Sequence, residues 1–340
     1  MWRDVGEAAV ATKAIGAPGA SLMAALATFA AILAVGAAAS LAAGLFGAMT
    51  DAPTTAAARD GLVRLATGDF FLLASEIRAL ALIAAGAVGL PLAVLGLMLL
   101  IEFLAGPRVR EPKNYRLAWQ VQALFFAFFA LLEYGITKIG PMPWRPLIQL
   151  GQGDGLAGML LHTLPAYVLV TFCADFFRYW FHRAQHRFAI LWRFHAVHHA
   201  PRDLDVLHNV NHPVELIGNV FFIGLPMSLL IGMDGGGIYG LAVLFSVQGH
   251  IHHMNVPMHY GPFRHLLVDN RYHFVHHSTD PEDFDTNFAG IFPVLDRMFG
   301  TYREPRPGPL PATGLPGDPP NFRQYLFGRP SDGPARSRYP

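Results

Sequence analysis

The chain has 340 residues and a formal net charge of +1 at pH 7, so its overall charge gives no reason to expect binding to nucleic acid. It is 53% hydrophobic and 14% charged, whereas soluble domains are typically about 25% charged. A single cysteine, Cys173, excludes an intrachain disulfide framework and a cysteine-ligated cluster. Composition therefore predicts a protein that lies largely in a lipid bilayer.

Residues 1–150 are predicted to form an N-terminal membrane-spanning region. It contains apolar runs at about 19–49, 78–105 and 117–138, each long enough to cross a bilayer, which takes about 20 helical residues. We expect the first run to be a span rather than a cleaved signal peptide. Its apolar core is longer than that of a signal peptide, and acidic residues are mixed with the basic ones before it.

A fourth span is predicted at about 156–181, and the shorter apolar stretches 215–233 and 236–251 predict a re-entrant helical hairpin. Basic residues concentrate in the 105–116 link and just after the fourth span, which predicts a cytoplasmic position for both. The expected fold is all-α. It has about four transmembrane helices plus the hairpin, in the cell inner membrane or its equivalent, with a histidine-rich helical cap facing the cytoplasm. Residues 304–340 are rich in Pro and Gly and predict a flexible tail.

Histidine is the unusual residue of this chain, since 15 of the 16 histidines lie between His182 and His277. At the end of the fourth span, His182 and His186 are one helical turn apart and share a face, so one metal ion can bind both. Asp175 and Tyr179 continue that face towards the membrane. An ionisable residue at such a depth usually has a partner, so both are candidates for supporting the metal ligands.

Two His-x-x-His-His triplets follow. In each triplet, all three imidazoles project to one side of a helical turn. A purely structural origin would crowd six imidazoles onto two helix faces at a cost in burial and with no evident gain, so we predict that both triplets bind metal. The triplets are His195, His198, His199 and His273, His276, His277.

The segment between the triplets supplies further candidates. His250 and His253 share a helix face and are predicted ligands, whereas His252 points elsewhere. Two interpretations of His212 and Glu215 stay open. In the first, either His212 or Glu215 orients a ligand imidazole. In the second, the segment is a helix N-terminal cap before Pro213.

Eight to ten imidazoles exceed the four protein ligands of one zinc ion, so two metal ions are predicted. Imidazole binds Zn, Cu, Fe and Ni alike, so spacing alone does not choose the metal. Two other protein classes stay open as alternatives. A bis-histidine haem electron carrier is disfavoured because the histidines cluster at span ends, and a non-catalytic metal-binding or transport protein because the first three spans hold few polar residues.

The order and spacing of these motifs resemble the fatty acid hydroxylase/sterol desaturase superfamily over residues 160–303. The resemblance includes the segment from Gln248 to Asn255 and a final motif that runs from Asn287 through Asp296-Arg297-Met-Phe-Gly300 to Thr301. Asn255 and Asn287 are therefore further candidates for supporting the metal ligands. One departure is that His250 and His253 are three residues apart, where members of the family often have four.

The resemblance implies that residues 151–303 form a catalytic domain around two non-haem Fe ions. It also implies O2 as co-substrate and hydroxylation, desaturation or demethylation of a lipid or sterol C–H bond, with the substrate arriving from the bilayer. Electrons are expected from an external donor such as ferredoxin or a cytochrome b5-like protein. No residue beyond the metal centre is predicted to act as a nucleophile or base.

Overall fold

The computed structural model describes residues 89, 91–105, 112–139, 145–149, 163–232, 235–256, 258–316 and 320–328. The first predicted span, 19–49, lies outside the described residues. The described part of the chain is mainly helical, which confirms the predicted class.

Ten α-helices are described along the chain. They are α1 (Pro91–Ala105), α2 (Pro112–Ile139), α3 (Leu164–Arg187), α4 (Ala189–His195), α5 (Pro213–Asn219), α6 (Leu225–Leu230), α7 (Gly235–His253), α8 (Asn270–His276), α9 (Val294–Phe299) and α10 (Phe322–Leu326). A π-helical turn, Val220–Gly224, joins α5 to α6. Short 3-10 turns lie at Val206–His208, Gly261–His265 and Pro281–Asp283. Strands β1 (Ile148–Gln149) and β2 (Ile231–Gly232) form a single parallel pair.

One helical segment among the described residues is long and apolar enough to cross a bilayer. It is the 18-residue stretch Pro213–Leu230, which comprises α5, the π turn and α6 and is 11% buried. The described part of the second predicted span and the apolar section of the third are helical but shorter, at Pro91–Ala105 and Arg116–Leu132. The described residues therefore contain one candidate span, which falls on the stretch 215–233 that was predicted as half of the hairpin, and they do not confirm four spans plus a hairpin.

Helix α3 contains most of the predicted fourth span, and its two halves differ in how much of their surface is exposed. Leu164, Val168 and Leu169 near its start are exposed, whereas its second half is largely buried inside the protein. The buried half carries Asp175 and Tyr179, so polar side chains interrupt the apolar run. This half of the helix packs mainly against other parts of the protein.

Two of the apolar clusters hold the histidine-bearing elements together. One joins α1, α2, the 3-10 turn at Val206 and the end of α7, with Leu95, Phe126 and Ile251 among its members. The other joins α3, α8 and the loop before α9 around Tyr179, Tyr272 and Phe288. Burial of large side chains at about 25 cal/mol per Å2 fixes the ends of α3, α7 and α8 relative to one another.

The C-terminal segment makes specific contacts as far as the described residues extend. A capping box, in which Asn321 and Gln324 bond each other's backbone N–H, starts α10. The Tyr325 hydroxyl donates to Asn211 O at 2.9 Å, and the side chain of Thr313 donates to Pro201 O at 3.1 Å. Residues 304–316 and 320–328 of the predicted tail thus include a short helix and specific contacts, while 329–340 lie outside the described part.

Candidate metal centre

Nine imidazoles meet at the ends of four helices. His182 and His186 lie in the last turns of α3, and α4 ends at His195, after which a turn carries the rest of the first triplet. His253 ends α7, and α8 with its C-cap carries the second triplet. The Asp269 carboxylate accepts a hydrogen bond from Tyr272 N at 3.0 Å and so caps the start of α8.

The nine imidazoles form two groups, and in each group the ligand nitrogens lie within 4.8 Å of one another. The five-histidine group consists of His182, His186, His195, His199 and His276. The four-histidine group consists of His198, His253, His273 and His277. Ligands around one ion at roughly 2.1 Å are at most about 4.2 Å apart, so each group is close to the size that one metal ion requires.

His250, the tenth predicted ligand, lies outside both groups. Its Nδ1 lies 3.2 Å from Val206 O and 3.2 Å from the Asn209 side-chain amide, so its ring packs against the 3-10 turn. His252 also lies outside, and its Nε2 lies 2.8 Å from the side-chain amide of Gln248.

Backbone oxygens lie behind several of these rings and set their orientation. Nδ1 of His182 lies 2.9 Å from Phe288 O, and Nδ1 of His276 lies 2.8 Å from Thr286 O. Nδ1 of His198 and of His253 likewise lie against main-chain oxygens, at 3.1 and 2.7 Å. A carbonyl oxygen only accepts, so each of these Nδ1 atoms is the protonated donor and each Nε2 keeps its lone pair.

Within each group, Nε2 atoms face one another. The Nε2–Nε2 distance is 3.1 Å between His182 and His195 and 3.3 Å between His198 and His253. Nε2 of His276 is buried with no hydrogen-bond partner. Two lone pairs at this distance repel unless a cation lies between them, and a buried unpaired acceptor costs about 1–3 kcal/mol. Transition-metal ions fit this donor set, and the Nε2 atoms of the two groups would bind them.

Burial keeps the imidazoles in the neutral form that binds metal. Removal from water lowers the pKa of His198 to about 4. It also holds the pKa values of His195, His199 and His276 well below their usual 6.5, and neighbouring imidazoles lower them further. Little proton competition with a metal ion is therefore expected at neutral pH.

A loop between α8 and α9 supplies three of the ring partners. Besides the two oxygens already named, it provides Asp285 Oδ1, which lies 3.2 Å from Nδ1 of His186. Asp285 was not recognised in the sequence, where it is one acidic residue among several in a polar loop. Its left-handed backbone conformation, φ 55°, was the remaining signal and becomes visible only in the structure.

Two buried carboxylates hold this loop in place. Asp296 accepts from the backbone N–H of Phe288 and of Ala289, both at 2.8 Å. Asp175 accepts from the next three N–H groups, those of Gly290, Ile291 and Phe292, at 2.8–2.9 Å. Asp175, a predicted support of the ligands, therefore acts one step further out, through the loop that supplies Phe288 O.

The other predicted supporting residues divide into two kinds. Glu215 Oε2 contacts a ligand directly, 2.9 Å from Nδ1 of His195. His212 caps α5 through Val214 N, so both interpretations of this segment describe part of it.

Tyr179 bonds Thr301, and Asn287 bonds backbone groups of Tyr272 and Arg303, which fixes the loop rather than an imidazole. The contact of Asn255 is through its backbone N–H, which donates to Glu102.

Comparisons with known proteins agree with this geometry. Residues 167–301, which contain both histidine groups, match the fatty acid hydroxylase family. The chain is 31% identical over 125 residues to alkylglycerol monooxygenase of Danio rerio, covering 36% of this chain and 27% of that protein. It is 30% identical over 139 residues to ornithine lipid hydroxylase OlsE of Rhizobium tropici, covering 41% and 42%.

A third relative is very-long-chain aldehyde decarbonylase GL1-4 of Oryza sativa subsp. indica, 25% identical over 197 residues, which cover 54% of this chain and 29% of that protein. The chain thus spans less than half the length of each of these relatives. No solved structure matches. The part of the chain that carries the nine converging histidines, residues 167–301, is thus similar to the fatty acid hydroxylase family.

Proposed function

We propose that this protein is a membrane-bound, non-haem di-iron oxygenase that oxidises a C–H bond of a lipid. The observation that carries the proposal is the pair of buried groups of five and four imidazoles with their Nε2 atoms turned inward. Relatives named for monooxygenation of alkylglycerols and hydroxylation of ornithine lipids support a lipid as the substrate class. Two iron ions, when bound, supply the activation of O2 that attack on an unactivated C–H bond requires.

The protein's own residues prepare the site for that chemistry. Oxygens behind the imidazoles fix ring orientation and tautomer, so the Nε2 atoms need no reorganisation when metal binds. Phe288 packs against the rings of His182, His186 and His276, with centroids 5.1–5.5 Å apart, and helps to exclude water from the five-histidine group.

A cavity of about 50 Å3 reaches the four-histidine group at His198. Its wall is mostly apolar, and Leu117, Ala118 and Val121 of α2 line one side. A wall of this kind favours an apolar segment of a substrate over water. The cavity is too small for a lipid chain, so it marks an apolar side of the site rather than a substrate channel. An open apolar groove along the first half of α3, lined by Val168 and Phe172, is the surface that supports contact with lipid.

Electrons would come from a separate protein on the cytoplasmic side. Arg187 and Arg193 are exposed beside the end of α3, and a basic surface favours an acidic donor such as ferredoxin or a cytochrome b5-like protein. The same side is expected to face the cytoplasm, because basic residues near span ends stay on that side.

The proposal is tested by lipid analysis of cells that express the wild-type chain or His276→Ala under 18O2. We expect the wild type to produce a lipid that carries one 18O atom or one new double bond, and the variant to produce none. Purified wild type should contain two iron ions per chain and consume O2 only with reductant and lipid. Haem absorbance, metal flux without O2 uptake, or full product formation by the variant would each refute the proposal.

A further inference from the structure

Three imidazoles in the described part of the chain have a carboxylate oxygen against Nδ1. The pairs are His195 with Glu215 at 2.9 Å, His186 with Asp285 at 3.2 Å, and His208 with Asp205 at 2.8 Å. The first two imidazoles belong to the five-histidine group, and His208 belongs to neither group.

The four-histidine group has a different set of partners. Nδ1 of His198 faces Val210 O, Nδ1 of His253 faces Gly249 O, and Nδ1 of His277 is buried with no hydrogen-bond partner. Neutral oxygens and one unpaired nitrogen thus replace the carboxylates in this group.

The difference in ring partners between the two histidine groups matters because bound metal ions carry positive charge. Neutral imidazoles do not compensate the charge of bound divalent ions, and the two carboxyl groups that touch candidate ligands both lie behind the five-histidine group. A carboxylate against Nδ1 strengthens the imidazole as a ligand and places a negative charge near the ion in a medium of low dielectric constant. Removing such a partner typically weakens metal binding by about 10–100-fold.

Glu215 is held firmly in this role. It is buried, with 5% of its surface exposed. Gln185 Nε2 donates to its Oε2 at 2.5 Å, and the backbone N–H of His212 donates to its Oε1 at 3.0 Å. These two donors fix both oxygens, so the carboxylate cannot turn away from His195.

We propose that the two metal positions are inequivalent, with Glu215 and Asp285 as the positioning residues that make the five-histidine group bind its ion first and more tightly. The four-histidine group fills second. This inference rests on the proposed metal-dependent function, and it adds an order of loading and the residues that set it.

The test is a Co2+ titration of the metal-free full-length protein in detergent, followed by visible absorbance and by equilibrium dialysis. We expect two successive binding steps in the wild type. Glu215→Gln and Asp285→Asn keep an amide oxygen near Nδ1 but remove the charge. Each should weaken the first step by about 10–100-fold and leave the second unchanged.

Two control variants assign the steps. Asp205→Asn alters the same kind of pair at His208, outside both groups, and should leave both steps unchanged. His198→Ala removes a ligand of the four-histidine group and should abolish the second step alone. Asp285 has 32% of its side chain exposed, so its Asn variant is expected to fold even if the buried Glu215 variant does not.

Several results would overturn the inference. They are two steps of equal affinity in the wild type, equal weakening of both steps by Asp285→Asn, and the same weakening by Asp205→Asn. A failure of the proposed function is distinguishable from these results. If Co2+ binds in the expected order but the iron-loaded protein oxidises no lipid, the oxygenase proposal fails and the order of loading stands.

Discussion

The rings of His199 and His277 lie stacked at the boundary between the two histidine groups, with centroids 4.2 Å apart and planes inclined by 21°. His199 belongs to the five-histidine group and His277 to the four-histidine group. Two ions bound in these groups would therefore be close neighbours. The two groups share the turn after α4 and the end of α8, but no imidazole belongs to both groups, so single substitutions can address them separately.

Helix α7 offers a matched test of ligand assignment. His250 and His253 are both 3% exposed, but the structure places only His253 in a histidine group. We expect His253→Ala to lower bound metal from about two ions per chain to about one, because a tetrahedral site rarely keeps its ion after the loss of a ligand. His250→Ala should keep both ions. Elemental analysis of the purified proteins measures this, and equal metal loss in both variants would contradict it.

Asp175→Asn should destabilise the protein without removing a ligand. The substitution keeps the size of the side chain but removes the charge that accepts hydrogen bonds from Gly290, Ile291 and Phe292. We expect the free energy of unfolding to fall by about 1.5–3 kcal/mol, the scale of a hydrogen bond to a charged group. Denaturant unfolding in detergent measures it. Asp280→Asn, on the surface, is the control, and an equal effect of both substitutions would argue against the role of Asp175.

Gly218 lies where α5 packs against α3. A methyl group at this position would overlap the ring of Phe181, and that ring cannot swing away freely because it stacks on Phe222 with centroids 4.9 Å apart. Gly218→Ala should therefore lower stability by about 1–3 kcal/mol, more than the helix propensity gained.

The control for this prediction is Gly96→Ala on α1, where nothing lies within 4 Å of the added carbon. It should stabilise the protein by up to about 1 kcal/mol, since alanine is the better helix former. Thermal unfolding of both variants measures the contrast, and a gain in stability for Gly218→Ala would show that Phe181 adjusts.

Trp192 is placed to report on metal binding. Its ring centroid lies 5.0 Å from that of His186, 5.4 Å from His199 and 6.2 Å from His195. Loading of the five-histidine group with Co2+ should quench its fluorescence, and Trp192→Phe should lose most of that quenching. Trp180→Phe is the control, because the ring of Trp180 packs on Phe299 at 4.9 Å. Unchanged quenching in Trp192→Phe would place the ion elsewhere.

The convergence of nine of the ten imidazoles predicted as ligands could be expected from the sequence, because helical periodicity turns spacing into direction. The rule fails at His250, which shares a helix face with His253 but points at the 3-10 turn that starts at Val206. Whether His250 or His253 reaches the candidate metal centre depends on what packs beside the helix. The spacing of residues within the helix does not show a turn that lies 44 residues away in the sequence.

The fold was less predictable than the ligands. The length of the apolar run alone predicted a span at residues 156–181. Asp175, within that run, accepts hydrogen bonds from a loop more than a hundred residues further along the chain. Composition likewise predicted a flexible tail, whereas Tyr325 in that region bonds Asn211, 114 residues earlier in the chain. Both contacts join segments that are far apart in the sequence, and a local average of composition does not register them.

Main-chain oxygens of Val210, Gly249, Thr286 and Phe288 orient four of the nine imidazoles. A point mutation that leaves the backbone path unchanged does not remove a carbonyl group. The tautomers of these four rings therefore follow from the path of the main chain rather than from the identity of the residues that carry the oxygens.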